Sequence, residues 1–241
     1  MDTKINTTNL TCAQSGRQAF GDCRLIIFDF DNTLYVGRRY AMRLVLSNLR
    51  HALRAKAERG VRRALAGVDF GGGEALRREA MARLARAAGI AEGEARRWYE
   101  GEYLPSMTEV LRRHYVARPG AKELLSSLVE AGKEVCVLSD YPNTAERLAA
   151  IGIADGKIGA YSAEEMGALK PSPRPFVEIA RERGVAPAEV LVVGDRADTD
   201  GAGAVAAGMN ALLVEGKKAP AGCGLPTMPW EEIVLELSRP C

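Results

Sequence analysis

The stretch Leu25-Ile26-Ile27-Phe28-Asp29-Phe30-Asp31-Asn32-Thr33-Leu34-Tyr35 decides how the rest of the chain is read. Its four leading apolar residues, two of them β-branched, read as a strand buried on both faces, as central parallel strands are. The run ends in two aspartates two residues apart. In an extended chain residues i and i+2 point the same way, so Asp29 and Asp31 share one side of the strand end. Two like unit charges about 4 Å apart cost roughly 4 kcal/mol at an effective dielectric of 20. Such a pair calls for a cation or a retained proton. Taken alone, Asp-x-Asp-x-Thr also fits an Asx-rich turn whose polar side chains bond only to nearby backbone. The rest of the chain decides between the two.

Downstream, apolar runs at 133–139, 190–194 and 211–214 read as further strands, with a shorter one at 158–161. Between and after them the pattern switches to helix at 121–131, 176–183, 202–207 and 230–237. Asp140 or Asn143 is placed to cap the helix after the second strand, with Glu146 completing a capping-box pattern. The prolines of 170–175 are expected to hold off helix until Phe176. Strands alternating with helices imply parallel βαβ units and a Rossmann-like α/β core flanked by helices. Ligands of such sheets bind beyond the carboxyl ends of the strands. Asp29 and Asp31, Ser139 and Asp195 all stand at such ends, and Lys170 lies on a connection able to reach the same edge.

Between the first two strands the pattern is helical for about eighty residues. Segments 40–65, 74–88, 91–103 and 106–115 carry helical spacing, broken by Phe70-Gly71-Gly72-Gly73 and by Pro105. The glycine triplet reads as a loop or a hinge. We therefore expect an all-helical insertion, 37–118, within a core made of 23–36 and 119–241, preceded by a loosely ordered tail, 1–22. The insertion carries 18 Lys/Arg against 9 Asp/Glu, leaving 15 against 22 elsewhere. Arg38 and Arg39, at its start, either face the site or are solvated helix-start charges.

With 241 residues, 47% of them hydrophobic, the chain is long enough for one large core or a core plus a smaller domain. A net charge of only +2 gives no reason to expect nucleic-acid binding. Five cysteines without a CxxC pair fit a reducing compartment, with Cys136 as a small core residue. No apolar stretch reaches the roughly 18 residues of a membrane span. Residues 1–22 lack the apolar run of a signal peptide. The expectation is a cytoplasmic protein without a membrane partner; its oligomeric state is open.

In order along the chain, Asp29-Phe-Asp31-Asn-Thr33, Ser139, Lys170-Pro-Ser-Pro and Gly194-Asp195-Arg-Ala-Asp-Thr-Asp200 resemble the four motifs of the haloacid dehalogenase-like (HAD) hydrolases. The resemblance spans roughly 24–214. The helical insertion between the first two motifs resembles the cap of the branch that includes phosphoglycolate phosphatases. The resemblance implies Asp29 as nucleophile and Asp31 as general acid and base. It implies Mg²⁺ held by Asp29, Asp195 and the backbone carbonyl of Asp31. Ser139, with Asp140 beside it, and Lys170 would bind the phosphoryl oxygens; Thr33 and Asp200 would support them from behind, Asp200 being favoured over Asp198. Asn32 stands where many members have glycine. Dehalogenases of the superfamily lack the acid at the Asp31 position, so its presence implies phosphate chemistry. The expected substrate is a small phosphorylated metabolite. Two other readings are transfer of the phosphoryl group to a sugar hydroxyl and a non-catalytic binding module.

Overall fold

The computed structural model describes residues 23–219 and 221–239, so the expected N-terminal tail, 1–22, lies outside the described residues. Six strands form one parallel sheet: β1 (Leu25–Asp29), β2 (Glu134–Ser139), β3 (Gly159–Ser162), β4 (Val190–Gly194), β5 (Asn210–Val214) and β6 (Thr227–Met228), in the order β3-β2-β1-β4-β5-β6. β1 is the inner strand, pairing Ile26 with Val135 on one side and Leu191 on the other. Every residue of β1 is buried, which is why its sequence is apolar without alternation.

The period of two still decides which core each side chain joins. Ile26 and Phe28 pack with the helices at Ala121–Glu130 and Trp230–Leu237, while Leu25 and Ile27 pack with those at Arg174–Glu182 and Ala202–Ala206. The latter cluster continues without a break into the insertion, through residues such as Leu65, Leu76, Leu84 and Trp98. Each large side chain so buried stabilises the fold by about 1.5–3 kcal/mol.

The insertion consists of α1 (Tyr40–Ser47), α2 (Ala52–Leu65), α3 (Gly73–Ala88), α4 (Glu92–Trp98) and α5 (Leu104–His114). The expected single helix over 40–65 is interrupted by a 3-10 turn at Leu49–His51. Pro105 does not separate the helices on either side of it. A π-helical turn at Tyr99–Tyr103 links α4 to α5, and Pro105 sits in the first turn of α5 where its missing N–H costs nothing. For the same reason the helix after Lys170 starts at Arg174 and takes Pro175 into its first turn. Of the glycine triplet only Gly73 makes a close backbone contact: a Cβ there would lie 2.3 Å from the Glu165 carbonyl oxygen of the core, whereas one on Gly71 or Gly72 would meet nothing within 4 Å. No capping box forms at Asn143, which is left-handed (φ 60°) and makes no side-chain cap. The Asp140 carboxylate instead accepts the Lys170 backbone N–H at 3.0 Å. Among the described residues no helix is long and apolar enough to cross a membrane.

Candidate active site

The carboxyl ends of β1, β2 and β4 meet at one sheet edge, as the strand order requires. There one carboxylate oxygen each of Asp29, Asp195 and Asp200 lies within 4.8 Å of the others. Lys170 Nζ donates to Asp29 Oδ1 at 2.5 Å and to Asp200 Oδ1 at 2.6 Å. Thr33 Oγ1 donates to the other oxygen of Asp29 at 2.8 Å, fixing the carboxylate plane. Gly194 makes room for this arrangement, since a Cβ there would come within 2.4 Å of the Asp200 side chain. Asn32 is left-handed (φ 66°), a conformation that glycine and asparagine tolerate best, which accounts for those two residue types at this turn.

One lysine does not balance three carboxylates. Burial, then Asp200, pushes the Asp29 carboxyl well above its usual range against the pull of Lys170, with Asp195 and Asp31 adding to the rise. Burial and Asp200 likewise raise Asp195 to about 6. Hard oxygen donors, a surplus of negative charge and an adjoining cavity fit a small divalent cation such as Mg²⁺. The residues present therefore suit that group, which Asp29, Asp195 and Asp200 could hold. Asp200 is drawn inward by Lys170 and accepts the Arg196 N–H, whereas Asp198 turns to the surface and pairs with the Arg196 guanidinium at 2.5 Å.

Asp31 is held differently. Both its oxygens accept from Arg147, at 2.8 and 2.9 Å, and Tyr35 Oη donates to it at 2.6 Å. Burial alone would raise this carboxyl, but Arg147 and the Tyr35 hydroxyl outweigh it and hold it below its usual range. The same guanidinium donates to Ser139 Oγ at 2.6 Å and lies over the Phe30 ring, 4.4 Å from its centre. Ser139 is thus fully buried, with its hydroxyl engaged by Arg147 and by the Tyr141 N–H. Sequence reasoning did not single out Arg147. The available signal was its position on the helix Thr144–Ala150, where Thr144, Arg147 and Leu148 form the buried stripe. An arginine on such a stripe has to find an internal partner.

A cavity of about 150 Å³ opens over the cluster, lined by Asp29, Asp31, Asp140, Lys170, Asp195 and Lys218 among others. Ser139 does not line it. Arg38 and Arg39 are exposed and line none of these walls. Beside the cavity, the insertion is fastened to the core by a second set of buried charges. Arg62 on α2 bonds Glu58, Glu164 and the Asp140 carbonyl, and Arg77 on α3 bonds Glu164 at 3.0 Å. Tyr99 Oη donates to Glu164 at 2.6 Å, and Tyr103 Oη to Glu58 at 3.0 Å.

A parallel sheet of this order, with carboxylates and a lysine converging beyond its strand ends, defines a Rossmann-like α/β enzyme. The chain belongs to the haloacid dehalogenase-like hydrolases, whose family model matches residues 23–208. It is 28% identical over 217 residues to a glyceraldehyde 3-phosphate phosphatase of Methanopyrus kandleri, covering 79% of this chain and 83% of that one. Among solved structures it resembles a HAD-hydrolase of Bacillus subtilis bound to magnesium (19% identity, TM-score 0.61, 90% and 99% of the two chains). A 2-haloacid dehalogenase of Pseudomonas syringae is similar to the same degree (23% identity, TM-score 0.61, 90% and 99%). At these identities the structural likenesses establish the fold, which dehalogenases and phosphate-metabolising members share.

Proposed function

We propose that this chain is a Mg²⁺-dependent phosphomonoester hydrolase working through an aspartyl-phosphate on Asp29. The observation that carries the reading is the three-carboxylate cluster with Lys170, two residues from a separately held Asp31. By the family resemblance, dehalogenases lack the acid at the Asp31 position, so its presence favours phosphate chemistry. The sequence similarity to a phosphatase supports the same choice.

In the proposed reaction an Asp29 oxygen attacks phosphorus in line, the ester P–O bond breaks, and the leaving oxygen takes a proton from Asp31. Water then attacks the aspartyl-phosphate, Asp31 takes its proton, inorganic phosphate leaves and the Asp29 carboxylate is restored. The cation, when bound at Asp29, Asp195 and the Asp31 carbonyl, supplies charge neutralisation for the phosphoryl oxygens. Lys170 would pair with those oxygens, and Ser139 would join once its hydroxyl turns from Arg147. Asp140 forms part of the pocket wall and, through its bond to the Lys170 N–H, sets where that lysine begins. Thr33 and Asp200 keep Asp29 and Lys170 oriented.

Arg147 holds Asp31 ionised, as the second half of the reaction requires; the first half needs Asp31 to leave Arg147 and carry a proton. The insertion, 37–118, would serve as a cap that excludes water and selects the substrate, a small phosphorylated metabolite. The test is phosphate release from p-nitrophenyl phosphate with Mg²⁺ or with EDTA, in the wild type and in Asp29→Asn. Release that needs Mg²⁺ and vanishes in the variant supports the reading; release surviving in the variant removes Asp29 as nucleophile.

A further inference from the structure

A second cavity, of about 270 Å³, adjoins the catalytic pocket and shares Asp31, Asn32 and Tyr141 with it as a common wall. That volume falls at the lower edge of the ~300–1,000 Å³ typical of small-molecule sites. Its position is the one a leaving group would occupy beyond Asp31. The remaining wall comes mainly from the insertion and the turn before it, and it is apolar and aromatic: Tyr35, Tyr40, Leu44, Tyr103 and Met107.

The tyrosine hydroxyls of this wall are already committed. Tyr35 Oη donates to Asp31, and Tyr103 and Tyr141 donate to Glu58 at 3.0 and 3.2 Å. Tyr40 Oη reaches the Met107 carbonyl at 3.4 Å. With the hydroxyl protons spent within the protein, this stretch of wall meets a ligand mainly with ring and thioether surface and with hydroxyl lone pairs, which favours an apolar or planar body.

One cation stands in this wall. Arg59, on α2, is half-buried and its side chain makes no hydrogen bond or ion pair among the described residues. Each of the other half-buried or buried arginines among the described residues is bonded to a carboxylate, a carbonyl or a tyrosine hydroxyl. The nearest acidic neighbour in sequence, Glu58, is satisfied by Arg62 and two tyrosines. A half-buried arginine without an internal partner has its guanidinium donors open to whatever enters the cavity.

We infer that this chamber receives the leaving group of a phosphomonoester with an apolar, planar body and a second anionic group, which pairs with Arg59. The inference rests on the phosphatase reading above and names its substrate class. Arg59 is accordingly a specificity residue, recognising a carboxylate or second phosphate by the planar fork geometry that suits both.

The test uses the full chain with Mg²⁺ and matched probes: phenyl phosphate against its 3- and 4-carboxy derivatives. The better carboxylated isomer is expected to exceed phenyl phosphate about 10- to 100-fold in kcat/KM, the range of one charge-assisted bond. In Arg59→Ala that ratio should fall close to one, in Arg59→Lys some of it should return, and in Arg59→Glu it should invert. No preference in the wild type, or an equal loss on both probes in Arg59→Ala, would overturn the inference. A polyol phosphate outpacing phenyl phosphate would overturn its apolar component. Calorimetric binding of phenylphosphonate and its carboxylated derivatives, whose P–C bond this chemistry does not cleave, reads the chamber without turnover. Arg59-dependent binding without any phosphate release would keep the chamber and sink the phosphatase reading; Asp29-dependent release without Arg59-dependent discrimination would do the reverse.

Discussion

Two buried charge clusters meet at Asp140 and are balanced in opposite ways. At the seam between insertion and core, Glu164 faces two arginines and a tyrosine hydroxyl, and Glu58 faces an arginine and two more tyrosines. Burial would raise both carboxyls; Arg62, Tyr99 and Arg77 hold Glu164 below its usual range, while at Glu58 burial outweighs Arg62 and its tyrosines and leaves the carboxyl raised. At the sheet edge three carboxylates share Lys170, and burial with their mutual repulsion drives Asp29 well up and Asp195 to about 6. The satisfied cluster fastens insertion to core. The frustrated one costs stability by itself and, on the proposed function, would be relieved by a divalent cation.

Five experiments would break or sharpen that contrast, the largest effect first. Asp29→Asn should lower kcat by about 10⁴-fold or more while circular dichroism shows the fold unchanged. An Asn with near-normal turnover would mean that the frustrated cluster is not the reacting one. Arg147→Met should lower kcat by about 10²-fold and move the pH limb that reports Asp31 upward, because the cation holding its carboxylate down is gone. An unmoved limb would break the link between Arg147 and Asp31.

Arg62→Met leaves Glu58 and Glu164 short of a partner and should cost about 3–5 kcal/mol in denaturant unfolding. Asp195→Asn should act in the other sense. Without divalent cation it should stabilise the protein by about 1–3 kcal/mol, since it removes one of three crowded carboxylates. It should also abolish the rise in Tm expected of the wild type on adding Mg²⁺, which at 100 times Kd would be worth about 2.7 kcal/mol.

The pH dependence is the finest discriminator. Asp195, raised from 3.8 to about 6 in the folded state, contributes stability that is present below 3.8 and lost as pH rises through about 6. Glu164, depressed in the folded state, contributes stability that is present above its unfolded value near 4.5 and lost as pH falls through its folded value. Unfolding measured in EDTA from pH 3 to 8 should therefore show a shallower decline above pH 4 in Asp195→Asn, where the raised Asp29 still contributes, and a softer acid collapse in Glu164→Gln. Identical profiles for both variants would erase the distinction between the clusters.

Much of the sheet edge was legible because its signals are local. An apolar run ending in Asp29 and Asp31, a strand ending at Ser139 and another ending at Gly194-Asp195 follow from period and position; Lys170 could only be placed on a connection able to reach that edge, and Asp200 was singled out by the family resemblance. The short strand β6 carried too few residues to show a period, and Asn143 offered a capping pattern that the left-handed backbone did not use. Arg147 was readable only as an arginine on a buried helix stripe, without a hint that Asp31, 116 residues earlier, would meet it. Arg62 and Glu164 lie 102 residues apart and carry no motif at all. Pro105 misled, since whether a proline breaks a helix or opens one depends on which N–H groups the preceding turn leaves free.

The sequence by itself determined the parallel α/β sheet, the helical insertion after its first strand and the set of acids and the lysine brought to one edge. Hydrophobic period and the i, i+2 geometry of strands act over a few residues and need no knowledge of the rest. Tertiary structure alone decided the partner of each charge: Lys170 between Asp29 and Asp200, Arg147 on Asp31 and Ser139, Arg62 across the seam, and Arg59 left open. In a medium poor in water, distances of a few ångströms and the exclusion of solvent set those energies, and both are fixed only when distant segments pack.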